Sequence, residues 1–142
     1  SNAGSTVTLA VNDGSTADGN YDALSNQTVA AALTDNDTAG FTVTESSGST
    51  SVNESGTTDT FTVVLNTQPS GNVVISVSSG DTGEATVSAS SLTFTTGNWN
   101  SAQTVTVTGV DETDDDGDVT STTTLAVIDG SSVAEYDPLA DQ

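Results

Sequence analysis

The chain of 142 residues contains no lysine, arginine, histidine, cysteine or methionine. Without a basic side chain it cannot neutralise nucleic-acid phosphates or an anionic membrane surface, so neither is expected as a partner. The absence of cysteine excludes disulfides, thiolate chemistry and zinc-finger patterns. No stretch approaches the ~20 apolar residues of a membrane-spanning helix, so membrane insertion is not expected either.

The same absences leave little for catalysis. Acyl transfer by any usual triad needs a histidine, cysteine or lysine as base or nucleophile, and the chain has none. Paired carboxylates can hydrolyse glycosides, but that chemistry favours a deep cleft lined by aromatic residues. One tryptophan, two tyrosines and three phenylalanines do not suggest such a cleft. The sequence therefore predicts that the protein is not an enzyme.

What the chain has in abundance is negative charge. It carries 20 acidic residues and a formal charge of −20, and six of the carboxylates lie within the eight positions from Asp111 to Asp118, in "GVDETDDDGDV". A large charge of one sign is typical of a disordered tail or of a cation-binding surface. Short alternating runs of Val, Ile, Leu, Phe and Thr favour a folded chain over a disordered one.

An internal repeat divides the chain. "STVTLAVNDG" begins at Ser5 and "STTTLAVIDG" begins at Ser121, an offset of 121 − 5 = 116 residues, which falls to 115 at Tyr21 and Tyr136. A period of this length is the size of a small β-sandwich domain. We expect residues 1–3, "SNA", to be the remnant of a cleaved tag. Residues 4–37 are expected to be the last strands and linker of a preceding repeat, and 38–142 a β-sandwich repeat that lacks its final strand.

The strand patterns predict an all-β fold with six or seven strands per repeat. Short β-branched runs of alternating polarity are separated by turn segments rich in Gly, Pro, Asn and Ser. Phe41, Phe61 and Phe94 lie in these runs and are expected in the core. The predicted strands cover residues 41–45, 60–65, 72–78, 85–88, 91–95, 102–109 and 119–128, with a further strand at 28–34.

The acidic run has the spacing of a cation-binding loop. Glu112-x-Asp114-x-Asp116-Gly117 resembles the first half of an EF-hand loop, in which oxygen ligands alternate and a glycine permits a sharp turn. The second half does not match, because Thr123 stands where a bidentate glutamate is needed. A calcium-binding turn between two strands fits better, since Ca²⁺ accepts six to eight oxygen ligands. A solvated acidic turn is the alternative.

A second group of oxygen-bearing side chains stands in the predicted linker. Asp35, Asn36 and Asp37 are consecutive, and three small residues follow them. A metal bound there would stiffen the joint between two repeats. A polar turn is again the alternative.

Two longer stretches carry a resemblance to a known family. "EATVSASSLTFTTGNWNSAQTVTVTGVDETDDDGD" and "TDNDTAGFTV" resemble Calx-β domains, which occur in sodium–calcium exchangers and as tandem repeats in very large bacterial surface proteins. The resemblance extends over residues 28–128, and "LTFTTGNWNSAQTVTVTGVD" is most similar to the bacterial repeats. It implies an immunoglobulin-like antiparallel β-sandwich of about seven strands. It also implies Ca²⁺, which some members bind at one end through carboxylates from several loops.

The resemblance places metal ligands on particular residues. The family's early glutamate falls on Glu54 in "SVNESG", and the acid of its "xDG" loop falls on Asp81 in "SGDTG". Its "DDD" after the penultimate long strand falls on Asp111 and Glu112, with Thr113 in place of the third acid. A later acid falls on Asp116, and the closing "DDD" is represented by residues 35–37 of the preceding repeat. The predicted Ca²⁺ ligands are Asp35, Asp37, Glu54, Asp81, Asp111, Glu112, Asp114 and Asp116.

These features predict a non-catalytic structural spacer or adhesion repeat of a secreted or cell-surface bacterial protein, rigidified by Ca²⁺ at its acidic loops. An extracellular setting suits the surface, because divalent cations and salt screen its charge. The alternative is a module that recognises carbohydrate or a partner protein through its loops. Trp99 and Tyr136 would serve that function if both were exposed, whereas a loop tryptophan otherwise plugs the end of a sandwich.

The expected partners are neighbouring repeats of the same chain. A sandwich without an edge strand leaves unpaired backbone groups and an open apolar groove. The additional strand at residues 28–34 could fill that groove in a neighbouring molecule. Head-to-tail strand exchange between molecules is therefore a second expected interaction.

Overall fold

A computed structural model describes residues 4–10, 20, 24–113 and 117–139. These residues are nearly all β, which confirms the predicted fold class, and they form nine strands in three antiparallel sheets rather than about seven strands. The chain divides into two compact units, residues 1–37 and 38–142. The strands are β1 (Gly4–Leu9), β2 (Gln27–Ala32), β3 (Phe41–Glu45), β4 (Thr58–Leu65), β5 (Val73–Ser79), β6 (Ala85–Val87), β7 (Ser91–Phe94), β8 (Gln103–Gly109) and β9 (Thr123–Val127).

The second unit is a sandwich of two sheets. One sheet has the order β3-β4-β8-β6 and the other has the order β7-β5-β9. The pairing of β4 with β8, and of β5 with β9, joins strands that are distant in the chain, as in the Greek-key order of immunoglobulin-like sandwiches. Seven strands of the described residues lie in this unit, and the two additional strands lie in the first unit.

The core lies between these two sheets and is built by simple alternation. In "TVTVT" of β8, Val105 and Val107 are buried while the threonines between them face outward. Side chains alternate between the two faces of a strand, so such a pattern buries one face and leaves the other for polar contacts. The three phenylalanines are buried as predicted. The core consists of Phe41, Phe61, Val63, Leu65, Val73, Ile75, Val77, Ala85, Leu92, Phe94, Val105, Val107, Leu125 and Tyr136.

The segment after β9 returns to the sandwich and closes one of its ends. Tyr136 is fully buried, and its hydroxyl donates to the carbonyl oxygen of Thr67 at 2.7 Å. The N–H of Val133 donates to the carbonyl oxygen of Asn72 at 3.0 Å. Residues 133–136 are thus held against the connection between β4 and β5. The strand predicted at 119–128 is shorter than expected, because its ladder with β5 begins at Thr123 and ends at Val127.

The first unit contains a two-stranded hairpin. β1 and β2 pair antiparallel, with Val7 opposite Val29 and Leu9 opposite Gln27. Every residue of both strands is exposed. A hairpin that buries nothing is marginally stable by itself, because backbone pairing alone scarcely offsets the entropy of ordering it.

Candidate functional site

Three connections of the sandwich bring acidic residues to the same end. The turn between β5 and β6 carries Asp81 and Glu84, and β8 ends just before Asp111. The N–H of Val110 donates to the carbonyl oxygen of Glu84 at 2.9 Å, which joins the end of β8 to that turn. The N–H of Asp81 donates to the hydroxyl of Ser121 at 3.2 Å, which joins the turn to the segment that enters β9.

The loop that carries Glu54 packs against the same end. The N–H of Gly109, the last residue of β8, donates to the carbonyl oxygen of Thr57 at 3.0 Å. The backbone of Asn53 approaches Gly109 so closely that a Cβ there would lie 2.8 Å from the carbonyl carbon of Asn53. Glycine is required because the neighbouring atoms are backbone and cannot rotate away. We call Glu54, Asp81, Glu84, Asp111 and Asp118 the acidic end.

Asp59 holds the first half of the loop that leads to Glu54. Its carboxylate accepts hydrogen bonds from the Ser46 hydroxyl, from the N–H of Ser51 at 2.9 Å and from the N–H of Thr60 at 2.7 Å. These donors, the Ser46 hydroxyl foremost, hold the pKa of Asp59 below its ordinary value because they favour the charged carboxylate. The ionised form of Asp59 therefore fixes the path of the loop.

Because the pKa of Asp59 is lower in the folded than in the unfolded chain, Asp59 stabilises the fold above its ordinary pKa of 3.8, and this contribution disappears as pH falls through the lowered value. Replacing Asp59 by asparagine should lower the melting temperature at neutral pH. The difference in melting temperature between wild type and variant should shrink once the pH falls below 3.8. Thermal unfolding followed by circular dichroism across this range measures the difference. If the difference in melting temperature between wild type and variant stayed the same at the most acidic pH, this role of Asp59 would be contradicted.

The structure brings some of the predicted metal ligands together and leaves others apart. Glu54, Asp81, Asp111 and Glu112 all belong to connections at the acidic end. Within residues 4–10, 20, 24–113 and 117–139, however, no three acidic side chains converge closely enough to hold a metal ion. The carboxylate of Asp81 instead accepts the N–H of Gly83 at 2.9 Å within its own turn.

The remaining predicted ligands lie elsewhere. Asp114 and Asp116 lie outside the described residues. Asp35 and Asp37 belong to the first unit, where the N–H of Asp37 donates to the carboxylate of Asp35 at 3.1 Å. This local hydrogen bond is the one expected of an aspartate at the start of a polar turn.

A cavity of about 860 Å³ lies between the two sheets next to the acidic end. Its apolar wall includes Phe61 and Val107 of one sheet and Leu125 of the other. Glu54, Glu84 and Asp118 also line it, together with Glu45 of β3. Sequence reasoning named none of Glu45, Glu84 and Asp118 as a metal ligand, although Asp118 belongs to the acidic run expected to bind the cation. Glu84 could have been suspected from its place in the turn of Asp81, and Asp118 from its place in the acidic run.

The aromatic side chains offer no exposed platform for a sugar in the part of the chain that the structure describes. Tyr136 is fully buried, and Trp99 is partly buried against the core. The three phenylalanines are core residues, and Tyr21 lies outside the described residues. The loop tryptophan also accepts the N–H of Leu65 through its carbonyl oxygen at 3.1 Å, so it belongs to the structural frame of the sandwich. The alternative of a carbohydrate- or protein-binding loop surface thus loses Tyr136, whereas Trp99 is only partly buried, and this alternative stays a prediction.

Comparison with known proteins found no match to a family model, to a curated protein or to a solved structure. The resemblance to Calx-β domains therefore rests on the sequence motifs and stays a prediction. Among the described residues, no helix has the length and apolar character needed to cross a membrane.

Proposed function

We propose that this chain is a non-catalytic structural repeat of a secreted or cell-surface bacterial protein, and that Ca²⁺ binds at the acidic end and stiffens it. The all-β sandwich supports a spacer, because such domains connect readily end to end. The absence of histidine, cysteine and lysine supports a non-catalytic role. The surface charge suits an extracellular medium, where divalent cations and salt screen it.

The observation that carries the calcium proposal is the convergence of three acidic connections, one of them acidic at both of its ends, in a chain with no basic residue. The loop of Glu54, the turn of Asp81 and Glu84, the end of β8 at Asp111 and the entry to β9 at Asp118 are neighbours at the acidic end. No basic side chain offsets their mutual repulsion. A hard divalent cation that prefers oxygen ligands would supply the positive charge.

Binding would add carboxylate links to connections that are otherwise held together only by hydrogen bonds. The acidic end combines one loop from the larger sheet, the end of β8 and the segment that enters the smaller sheet. A cation held by carboxylates from two or more of these connections would restrain the two sheets relative to each other. The rest of the acidic run, including Asp114 and Asp116, stands between β8 and β9 and could add further ligands. This restraint is the mechanical property that a spacer needs.

Thermal unfolding with and without Ca²⁺ tests this function, because a ligand of the folded state alone raises the melting temperature. Ca²⁺ at ten times its Kd should add about 1.4 kcal/mol to the free energy of unfolding. For a domain of about 100 residues this corresponds to a rise of about 6 to 11 °C. Mg²⁺ at the same concentration should give a clearly smaller rise, because it demands a tighter octahedral set of ligands.

Two matched variants show whether the calcium-dependent rise in melting temperature comes from binding at the acidic end. Asp111→Asn removes a carboxylate from the acidic end, whereas Asp129→Asn removes one from the turn that follows β9, at the other end of that strand. Both change the net charge equally. The calcium-dependent rise should be reduced in the first variant and kept in the second. An equal response of both variants, or an equal response of wild type to Ca²⁺ and Mg²⁺, would mean that the carboxylates are merely screened.

A further inference from the structure

The last strand of the smaller sheet has a free edge. β9 pairs with β5 along one side over its whole length, Thr123–Val127. Along its other side, the residues that the structure describes contribute no strand. Such an edge presents a row of N–H and C=O groups that another strand can complete.

The cavity between the two sheets lies beside this edge. Thr123 and Leu125 of β9 form part of its wall, and Val43 of β3, the edge strand of the facing sheet, forms another part. The cavity is open to solvent, and the loops at the acidic end form much of its wall. Its volume of about 860 Å³ could accept several side chains of a strand placed between β3 and β9.

The chain itself shows which strand pairs with a strand of this sequence. "STVTL" at residues 5–9, all within β1, matches "STTTL" at residues 121–125, whose last three residues begin β9, at an offset of 116 residues. In the first unit, the antiparallel partner of β1 is β2, Gln27–Ala32. β2 therefore has the sequence of a partner for β9.

The match also specifies the register. Val7 is opposite Val29, and Ser5 is opposite Ala31. Transferred by 116 residues, Val29 would stand opposite Thr123 and Ala31 opposite Ser121. Residues directly opposite each other share a face.

The face that these residues share is the core face. Leu125 is 4 % exposed and belongs to the core, and Thr123 lies two residues from it on the same face. Val29 and Ala31 would therefore point into the cavity. Ala30 would point to solvent.

β2 is available for such an exchange. Its Val29 is 57 % exposed, and Leu33, just beyond it, is 63 % exposed. Leu9 of β1 is 58 % exposed, whereas its counterpart Leu125 in β9 is buried. Pairing β2 with β9 instead of β1 conserves the backbone hydrogen bonds and buries apolar side chains that the hairpin leaves in water.

We propose that the free edge of β9 takes up the Gln27–Ala32 strand of a second copy of this chain, antiparallel and with Val29 opposite Thr123. Each copy offers one donor strand and one acceptor edge. The contact is heterologous, so it links molecules head to tail. It requires the β9 edge and the cavity, which shares Glu54, Glu84 and Asp118 with the acidic end, and it does not require that Ca²⁺ be bound there.

Sedimentation velocity over a wide range of protein concentration tests this association. The ionic strength is held at about 0.15 M, because the Debye length of about 8 Å at that salt concentration limits repulsion between the acidic molecules. The wild type should form dimers or longer species as concentration rises. Ala31→Asp puts a charge into the cavity and should keep the protein monomeric, whereas the neighbouring Ala30→Asp adds the same charge on the solvent side and should associate like wild type. A wild type that is monomeric at every concentration would overturn the proposal, and so would equal association of the two variants.

A disulfide test reports the register directly, because the natural chain has no cysteine. A Val29→Cys protein and a differently tagged Thr123→Cys protein are mixed and oxidised, and the mixed disulfide is separated by mass from the two homodimers. Directly opposed residues of an antiparallel pair have Cα atoms about 4.5 to 5.5 Å apart, within the range of a disulfide. Thr28→Cys, on the opposite face, is the control in place of Val29→Cys. A clear excess of the mixed disulfide over this control is expected, and equal yields would contradict the register.

Discussion

Replacing Tyr136 by alanine is expected to destabilise the sandwich unit by about 3 to 5 kcal/mol, the usual cost of truncating a fully buried aromatic side chain. The ring is completely buried and fills the end of the core that residues 133–136 close. Its removal leaves a cavity that the surrounding strands cannot fill, and it frees the segment after β9. The melting temperature should fall by about 12 °C or more, since 1 kcal/mol corresponds to about 4 to 8 °C in a domain of this size.

Tyr136→Phe is the matched variant that keeps the ring and removes only the hydroxyl. The hydroxyl donates to the carbonyl oxygen of Thr67 at 2.7 Å and lies 3.0 Å from the Thr67 hydroxyl. Loss of such a hydrogen bond costs about 0.5 to 1.5 kcal/mol. Chemical denaturation of both variants separates the two contributions. If phenylalanine were as damaging as alanine, packing of the ring would not be what holds this end.

Replacing Gly109 by alanine is expected to destabilise the unit by about 1 to 3 kcal/mol, as overpacking usually does. The new methyl group would collide with the carbonyl oxygen of Asn53 and would lie 3.1 Å from the Asn53 nitrogen. These are backbone atoms, so the loop that carries Glu54 has to move away from the end of β8. The rise of melting temperature with Ca²⁺ should shrink as well, because Glu54 leaves the acidic end.

Gly130→Ala is the control for the loss of stability expected of Gly109→Ala. A Cβ at Gly130 meets nothing within 4 Å, and the glycine does not have a positive φ. Its replacement should leave the melting temperature unchanged or raise it slightly, because alanine restricts the unfolded chain. If both alanine variants melted alike, the close approach of Asn53 to β8 would not matter to the fold.

The strands were predictable because alternation is a local signal. "FTVTE" and "TVTVT" alternate apolar and polar residues over their whole length, and both became strands with one buried face. The ends of strands were less predictable. β9 begins at Thr123 rather than at residue 119, because its start is set by where β5 offers backbone partners and not by its own residues.

The pairing of strands was not accessible from local patterns. β6 joins the sheet of β8, whereas β7, only a few residues later, joins the sheet of β5. Both are short β-branched or apolar segments with similar composition. Their assignment to different sheets depends on which uncovered edge each one reaches, which is a property of the assembled sandwich.

The candidate site was predictable only in part, because contacts between residues far apart in the chain are not visible in local sequence patterns. Glu54 and Asp111 are far apart in the chain, and they were placed together through a resemblance to a family rather than through spacing. The contact that brings them together, Gly109 against Asn53, involves no charged residue. Asp118 is part of the acidic run and Glu84 follows Asp81 closely, yet only the fold shows that both line the cavity with Glu54.

Calorimetric titration of Ca²⁺ into the metal-free protein tests the central proposal most directly, because it measures binding itself. Saturable binding is expected in wild type and in Asp129→Asn, with clearly weaker binding in Asp111→Asn. Mg²⁺ added beforehand should compete poorly. Absence of saturable binding, or the same affinity in wild type and Asp111→Asn, would contradict a calcium site at the acidic end and leave the domain as a spacer whose charge is only screened by salt.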